Sequence, residues 1–202
     1  MSLISKQNLA KLLFESGMIV FSVFLALFIN EYRKDIQTEH YKDQALAKIK
    51  VELTQNLRTL EGYQVHHEQV LKKLEALGNE GLASHLPAGS NVIELIMSET
   101  MSDGLIQEIL DDTAWQAFRT SSAYAEVEFE RVMRLSKVYS TQARGVEASL
   151  QTVIDTLYAR ESLQPENSVV TLQLLTNSMR ELLAQEIYLI ALYQKTLSEI
   201  RF

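Results

Sequence analysis

Near its N-terminus the chain carries a predominantly apolar stretch, LLFESGMIVFSVFLALFIN from Leu12 to Asn30, and beyond it the pattern changes. Apolar residues then recur at steps of three and four: Ile29, Tyr32 and Ile36, followed by Leu46, Ile49, Leu53, Leu57 and Leu60. Such spacing keeps one face of an α-helix apolar. No Pro occurs before Pro87, so the pattern predicts one continuous helix from the apolar stretch to about Leu77. Its part beyond Asn30 would project about 70 Å at 1.5 Å per residue. Glu39 and Asp43 interrupt the stripe, which makes residues 31–45 a solvated stalk and places the packed bundle in 46–202. Gly78, Gly81 and SHLPAGS end the helix.

Asn91 with Glu94, and Thr113 with Gln116, have the spacing of N-cap and N3 residues and predict two short helices. A longer helix is expected from about Ser122 to Arg160, with Val132, Leu135, Tyr139, Val146, Leu150, Val153 and Leu157 on one side. Gly145 weakens it without breaking it. ESLQPENS closes it, and a last helix from about Ser168 to Ile200 carries Leu172, Leu175, Met179, Leu182, Leu189, Tyr193, Leu197 and Ile200. No strand alternation of useful length occurs. The expected fold is all-α: an N-terminal transmembrane helix running on into a long helix, packed with later helices as an antiparallel bundle of about four helices.

A bilayer core asks for about 20 apolar residues, so Leu12–Asn30 is read as a single span behind a tail of residues 1–11 that holds Lys6 and Lys11. A cleaved signal peptide has a similar basic-then-apolar start, but LALFINEYRK offers no pair of small residues for cleavage. Orientation is not decided by charge, since Lys6 and Lys11 are balanced by Arg33, Lys34 and Lys42. A short tail before an uncleaved span places the C-terminal domain outside, on the periplasmic side of a bacterial inner membrane. Within the span Glu15, Ser22, Ala26 and Arg33 share one stripe, with Asn30 at its edge and Phe21, Phe24 and Phe28 off it. Small and polar residues at this spacing let helices approach in lipid, which makes the stripe a candidate association face.

Composition narrows the chemistry. The chain has 202 residues, a net charge of −7 and no Cys, which removes disulfides, thiol nucleophiles and Cys zinc sites and argues against nucleic acid as a partner. The glycines are not clustered and none precedes Lys, so there is no P-loop. None of His40, His66, His67 and His85 sits in a Glu-x-x-His or His-Glu-x-x-His motif, and no Gly-x-Ser-x-Gly elbow exists. Adjacent imidazoles diverge by about 100° on a helix and cannot both ligate one ion without another segment, so His66, His67 and Glu68 are read as a solvated helix face or as helix-terminal charge pairing. Trp115 and Phe118 are read as packing anchors, the eight Tyr as core residues, and Asp111 and Asp112 as charges at a helix N-terminus. No cofactor or metal is expected.

Three segments together carry a resemblance. VFLALFINEYRKD, DDTAWQAFRTSSAYAEVEFERVMRLSKVYSTQ and ELLAQEIYLIALYQKTL resemble the membrane exit, central motif and last helix of a family of small, functionally uncharacterised bacterial membrane proteins. The central motif is Ala-Trp, five residues, then Ser/Thr and Ser/Gly, with a later Val-Tyr-x-x-Gln step that contains Tyr139. Tyr32 stands where Trp is commoner and Ser122 where Gly is commoner. The resemblance implies an anchored helical domain and brings no catalytic residues. The expected function is a non-enzymatic, membrane-anchored interaction module, a sensor or a subunit of a membrane complex, that self-associates and has an unidentified protein partner. Two other classes stay open: a conduit lined by Glu15, Ser22 and Asn30, and an enzyme using His66, His67 and carboxylates from another helix.

Overall fold

The computed structural model describes residues 6–199 except 83–85, 87, 88, 103 and 107. His85, Pro87 and Ile200 therefore lie outside the described residues. The fold is all-α, with a long N-terminal helix packed against later helices as an antiparallel bundle. Helix α1 spans Lys6–Glu80 without a break and stops at Gly81, whose φ of 83° is the left-handed conformation that ends helices and that glycine adopts without steric cost. After it come α2 (Val92–Leu95), α3 (Thr113–Arg119), α4 (Phe129–Thr141), α5 (Ala148–Tyr158) and α6 (Ser168–Glu199).

Two parts of α1 have different surroundings. Every side chain in 11–37 is exposed, Phe14, Phe21, Phe24 and Phe28 among them, and this apolar part is long enough to cross a membrane. Leu46 is the first buried residue; from there Ile49, Leu53, Leu60, Val70 and Leu74 pack into the core, while Leu57 is half-buried. Full burial of one such side chain contributes about 1.5–3 kcal/mol, which fixes the rotation of α1 about its axis.

Helix α6 supplies the facing stripe of Leu172, Leu175, Met179, Leu182, Leu189 and Tyr193. It runs antiparallel to α1: Arg180 Nη2 donates to Glu75 Oε1 at 2.8 Å, and Gln194 Nε2 to Glu61 Oε1 at 3.3 Å, so numbering rises on one helix as it falls on the other. Leu135 and Val138 of α4 and Val153 and Leu157 of α5 complete the core.

The expected helix over Ser122–Arg160 is divided. A 3-10 turn fills Ser122–Glu126, α4 begins at Phe129, and Gln142–Glu147 is a π-helical turn that joins α4 to α5. The extra residue of the π turn changes the phase of the apolar stripe between Tyr139 and Val146. Helix α5 ends at Tyr158, and 3-10 turns at Arg160–Leu163 and Pro165–Asn167 lead into α6. At α2 the expected cap forms: Glu94 N donates to Asn91 Oδ1 at 3.1 Å and Asn91 Nδ2 donates back to Glu94 Oε1 at 3.1 Å. Leu95 leads directly into a π turn, Ile96–Thr100. At α3 the expected Thr113–Gln116 arrangement does not form. Thr113 lies inside the helix, Asp112 holds the N-cap position without a side-chain bond to the backbone, and the cap comes from Glu52 on α1.

Candidate functional site

The polar residues of α1 that project beside its apolar stripe recur as Glu52, Asn56, Thr59, Tyr63 and His66, in steps of four and three. The described residues between the Ile96–Thr100 π turn and α3, which have no regular helix, lie along this row as a strap, and the row binds their backbone. Asn56 makes a reciprocal pair with Asp111, donating Nδ2 to its carbonyl at 2.6 Å and accepting from its N–H at 2.9 Å. Tyr63 Oη accepts from Glu108 N at 2.8 Å, Thr59 donates to the Glu108 carboxylate at 3.0 Å, and His66 donates Nε2–H to the Gly104 carbonyl at 2.7 Å. The φ of 77° at Gly104 turns the strap at this end. The groups of an irregular backbone need partners when buried, and α1 supplies them one turn at a time.

At the other end of the strap Glu52 is buried, 7% exposed, and accepts from Ala114 N at 2.6 Å, Trp115 N at 3.4 Å and the Tyr139 hydroxyl at 2.5 Å. A carboxylate at the first turn of a helix also meets the positive end of the helix dipole. Burial pushes the Glu52 carboxyl above the ordinary carboxylate range, against the lowering effect of its Tyr139 and Ala114 hydrogen bonds. Asp111 is shifted the other way, because the Thr113 hydroxyl and N–H both donate to it. Burial, and then the neighbouring Glu52, raises the Tyr139 hydroxyl. Trp115 and Phe118 are buried, and Tyr139 stacks on the indole, so the sequence-predicted central residues meet in one cluster. Of the eight Tyr only Tyr139 and Tyr193 are buried; Tyr32, Tyr41, Tyr158 and Tyr188 are exposed, contrary to the expectation of core packing for most.

Gln142, in the π turn, joins the seam from behind. Its Oε1 accepts from Tyr193 Oη at 2.6 Å and from Asn56 Nδ2 at 3.4 Å, and its Nε2 donates to Glu147 Oε1 at 3.0 Å and the Leu110 carbonyl at 3.4 Å. Burial raises the Tyr193 hydroxyl.

His67 overturns the reading of His66–Glu68 as a solvated face. It is 1% exposed, with Nδ1 2.7 Å from Oε1 of a fully buried Glu186 on α6 and Nε2 2.8 Å from the Leu105 carbonyl. The second oxygen, Glu186 Oε2, is buried without a hydrogen-bond partner. The divergence of adjacent imidazoles is observed, but it sends His67 inward while His66 stays at the surface on Gly104. Glu52, Asn56, Gln142 and Glu186 were not singled out from the sequence. Glu186 had a readable signal: it stands in helical register between Leu182 and Leu189, a charged residue inside an apolar stripe.

Among the described residues no group of three or more His, Asp and Glu side chains is arranged to hold a metal ion. The Trp115–Phe118 region is not an enclosed ligand pocket; an open groove of about 770 Å³ runs between α1 and α3, bordered by Tyr41, Val51, Ala117 and Phe118. In the apolar part of α1, Glu15, Ser22, Ala26, Asn30 and Arg33 are all exposed. Glu15 lies 3.9 Å from Lys11, and the Ser22 hydroxyl donates to the Met18 carbonyl at 2.7 Å. No family model matches the chain, and no curated protein or solved structure matches it.

Proposed function

We propose that this chain is a membrane-anchored helical interaction module without a catalytic role, a sensor or a subunit of a bacterial inner-membrane complex. It self-associates through the anchor face Glu15, Ser22, Ala26, Asn30 and Arg33, and its bundle stands on the periplasmic side. The observation that carries this reading is the division of α1: every side chain in 11–37 is exposed, whereas 46–80 is built into the core. A helix that is apolar and wholly unpartnered has lipid or another copy as its natural environment. The buried polar groups favour a structural use, since their hydrogen bonds are spent on the strap and on α3, and the His67–Glu186 pair is sealed from solvent.

Because the chain has no Cys, single cysteines placed in it report without background. Ser22→Cys and Ala26→Cys should form crosslinks between copies in membranes, and Phe21→Cys and Phe28→Cys should not. Equal crosslinking from both faces, or none from Ser22 and Ala26, would overturn the association face. The same approach gives the side: Ile109→Cys, at 85% exposure, should react with a membrane-impermeant maleimide from the periplasmic side. Reaction only after the membrane is opened would place the bundle in the cytoplasm.

A further inference from the structure

The contacts of the buried pair fix its proton count. Nε2 of His67 faces a carbonyl oxygen, which can only accept, so that nitrogen must carry a proton. Between Nδ1 and Glu186 Oε1, 2.7 Å apart, one further proton is needed; it rests on either atom, giving an ion pair or a neutral pair. The observed geometry therefore requires two protons shared by three atoms. With one proton removed, the imidazole keeps a single N–H and can satisfy only one neighbour. The buried Glu186 carboxylate, with Oε2 already unpartnered, has the stronger claim on it, because an unpaired buried charge costs more than an unpaired carbonyl. The proton then sits on Nδ1, and Nε2 turns a lone pair toward the Leu105 carbonyl. The tie from His67 to Leu105 is lost, while those of Asn56, Tyr63 and His66 to the strap remain.

We propose that His67 and Glu186 form a proton-operated latch that fastens the strap between α2 and α3 when the pair holds two protons and frees its Leu105 end when it holds one. Release follows a rise in pH, because the fastened state binds the extra proton and is favoured at lower pH. A third proton does not release it, since doubly protonated His67 still donates to Leu105. Among the described residues the other titratable groups around the pair are few. On α1, Tyr63 and His66 lie against the His67 ring, with centroids 5.7 and 5.6 Å away, and His66 is itself tied to Gly104. On α6 the next titratable group along the buried face is Tyr193, bonded to Gln142 of the π turn, where Glu147 takes the Gln142 amide. The described strap residues nearest the pair contribute the Gly104 and Leu105 carbonyls and, beyond them, Glu108, held by Thr59 and Tyr63. No described Lys or Arg lies within ion-pair distance of Glu186. The latch does not depend on self-association of the anchor.

The test uses the full chain in lipid nanodiscs with a spin label on Ile106→Cys, an exposed strap position next to Leu105. Across about pH 5 to pH 8, label mobility should step upward as pH rises. In Glu186→Gln the amide donates to Nδ1 and Nε2–H stays on Leu105, so the step should vanish. The same step in both proteins, or none in the unsubstituted chain while it remains folded, overturns the proposal. Nitrogen resonances of labelled His67 in the otherwise unsubstituted chain give a readout that does not rely on the variant folding. They should change tautomer or protonation at the pH of the mobility step, and a change at a different pH also overturns it.

Discussion

The ring of Tyr139 lies flat on the indole of Trp115, with centroids 5.2 Å apart and planes 3° from parallel, while its hydroxyl donates to the Glu52 carboxylate that caps the helix bearing that indole. One side chain from α4 thus holds α3 by its face and by its cap. Tyr139→Phe should keep the stack and lose the hydroxyl, lowering stability by about 1–2 kcal/mol. Denaturant unfolding of the detergent-solubilised chain measures this, and the Trp115 emission maximum of the folded state should stay in place.

Glu52→Ala removes the cap of α3 and strands the buried Tyr139 hydroxyl, a loss of about 2–3 kcal/mol by the usual values for these two effects. Glu52→Gln tests the charge. Because burial raises the Glu52 carboxyl, the folded state binds its proton more readily than the unfolded chain does. Its contribution to stability is thus present at and below the ordinary carboxylate value and lost as pH rises through the raised folded value. Asp111, lowered by Thr113, contributes in the opposite sense, with stability present above its ordinary value and lost as pH falls. Unfolding free energies across mildly acidic pH should fall with rising pH more steeply in the unsubstituted chain than in Glu52→Gln.

The π turn is held by Gln142, not by Gly145. A Cβ on Gly145 would meet Gln185 Oε1 at 2.7 Å, but that atom ends a flexible surface side chain whose amide donates to Glu181, and it can swing away. Gly145→Ala should be tolerated, within about 1 kcal/mol of the original stability, since alanine's helical preference offsets the displaced contact. Gln142→Leu leaves Tyr193 Oη, the Leu110 carbonyl and part of Asn56 without partners and should cost more than about 2 kcal/mol. Thermal unfolding of the two variants side by side checks the ranking.

The long helix fixes the rotational phase between its exposed apolar part, 11–37, and the bundle. Deleting Thr38 turns one part against the other by about 100°, whereas deleting the heptad 35–41 changes the phase by only about 20°. If copies associate through the anchor, cysteine crosslinks between bundles should change pattern with the single deletion and return with the heptad deletion. An unchanged pattern after the single deletion would mean that the bundles associate independently of the span.

What could be read in the sequence was what depends on period. The stripes on α1 and α6, the capping pair at Asn91 and Glu94, and the end of α1 at Gly81 are local or repeat regularly, and the structure has them. What could not be read depends on partners far along the chain. Thr113 has the residue type of a cap, yet Glu52 performs that work from another helix, and no local rule selects it. The break at Gln142–Glu147 follows from Gln142 turning into the seam to meet Tyr193 and Asn56, and a helical pattern shows only that Gln142 is polar. His67 was misread because its helical neighbours gave it a polar setting, and its only carboxylate partner stands 119 residues away.

That separation sets an order on the making of the protein. The strap is gripped by residues of α1, but Glu186, which completes the buried pair, is synthesised 119 residues after His67, and Tyr193 later still. Until they arrive, Leu53, Leu60 and Leu74 on α1 lack the surface that covers them, so the nascent chain passes through a stage of exposed apolar surface. Closure of this fold is therefore sequential by construction: α1 is made well before α6, and its buried face is covered only when α6 follows.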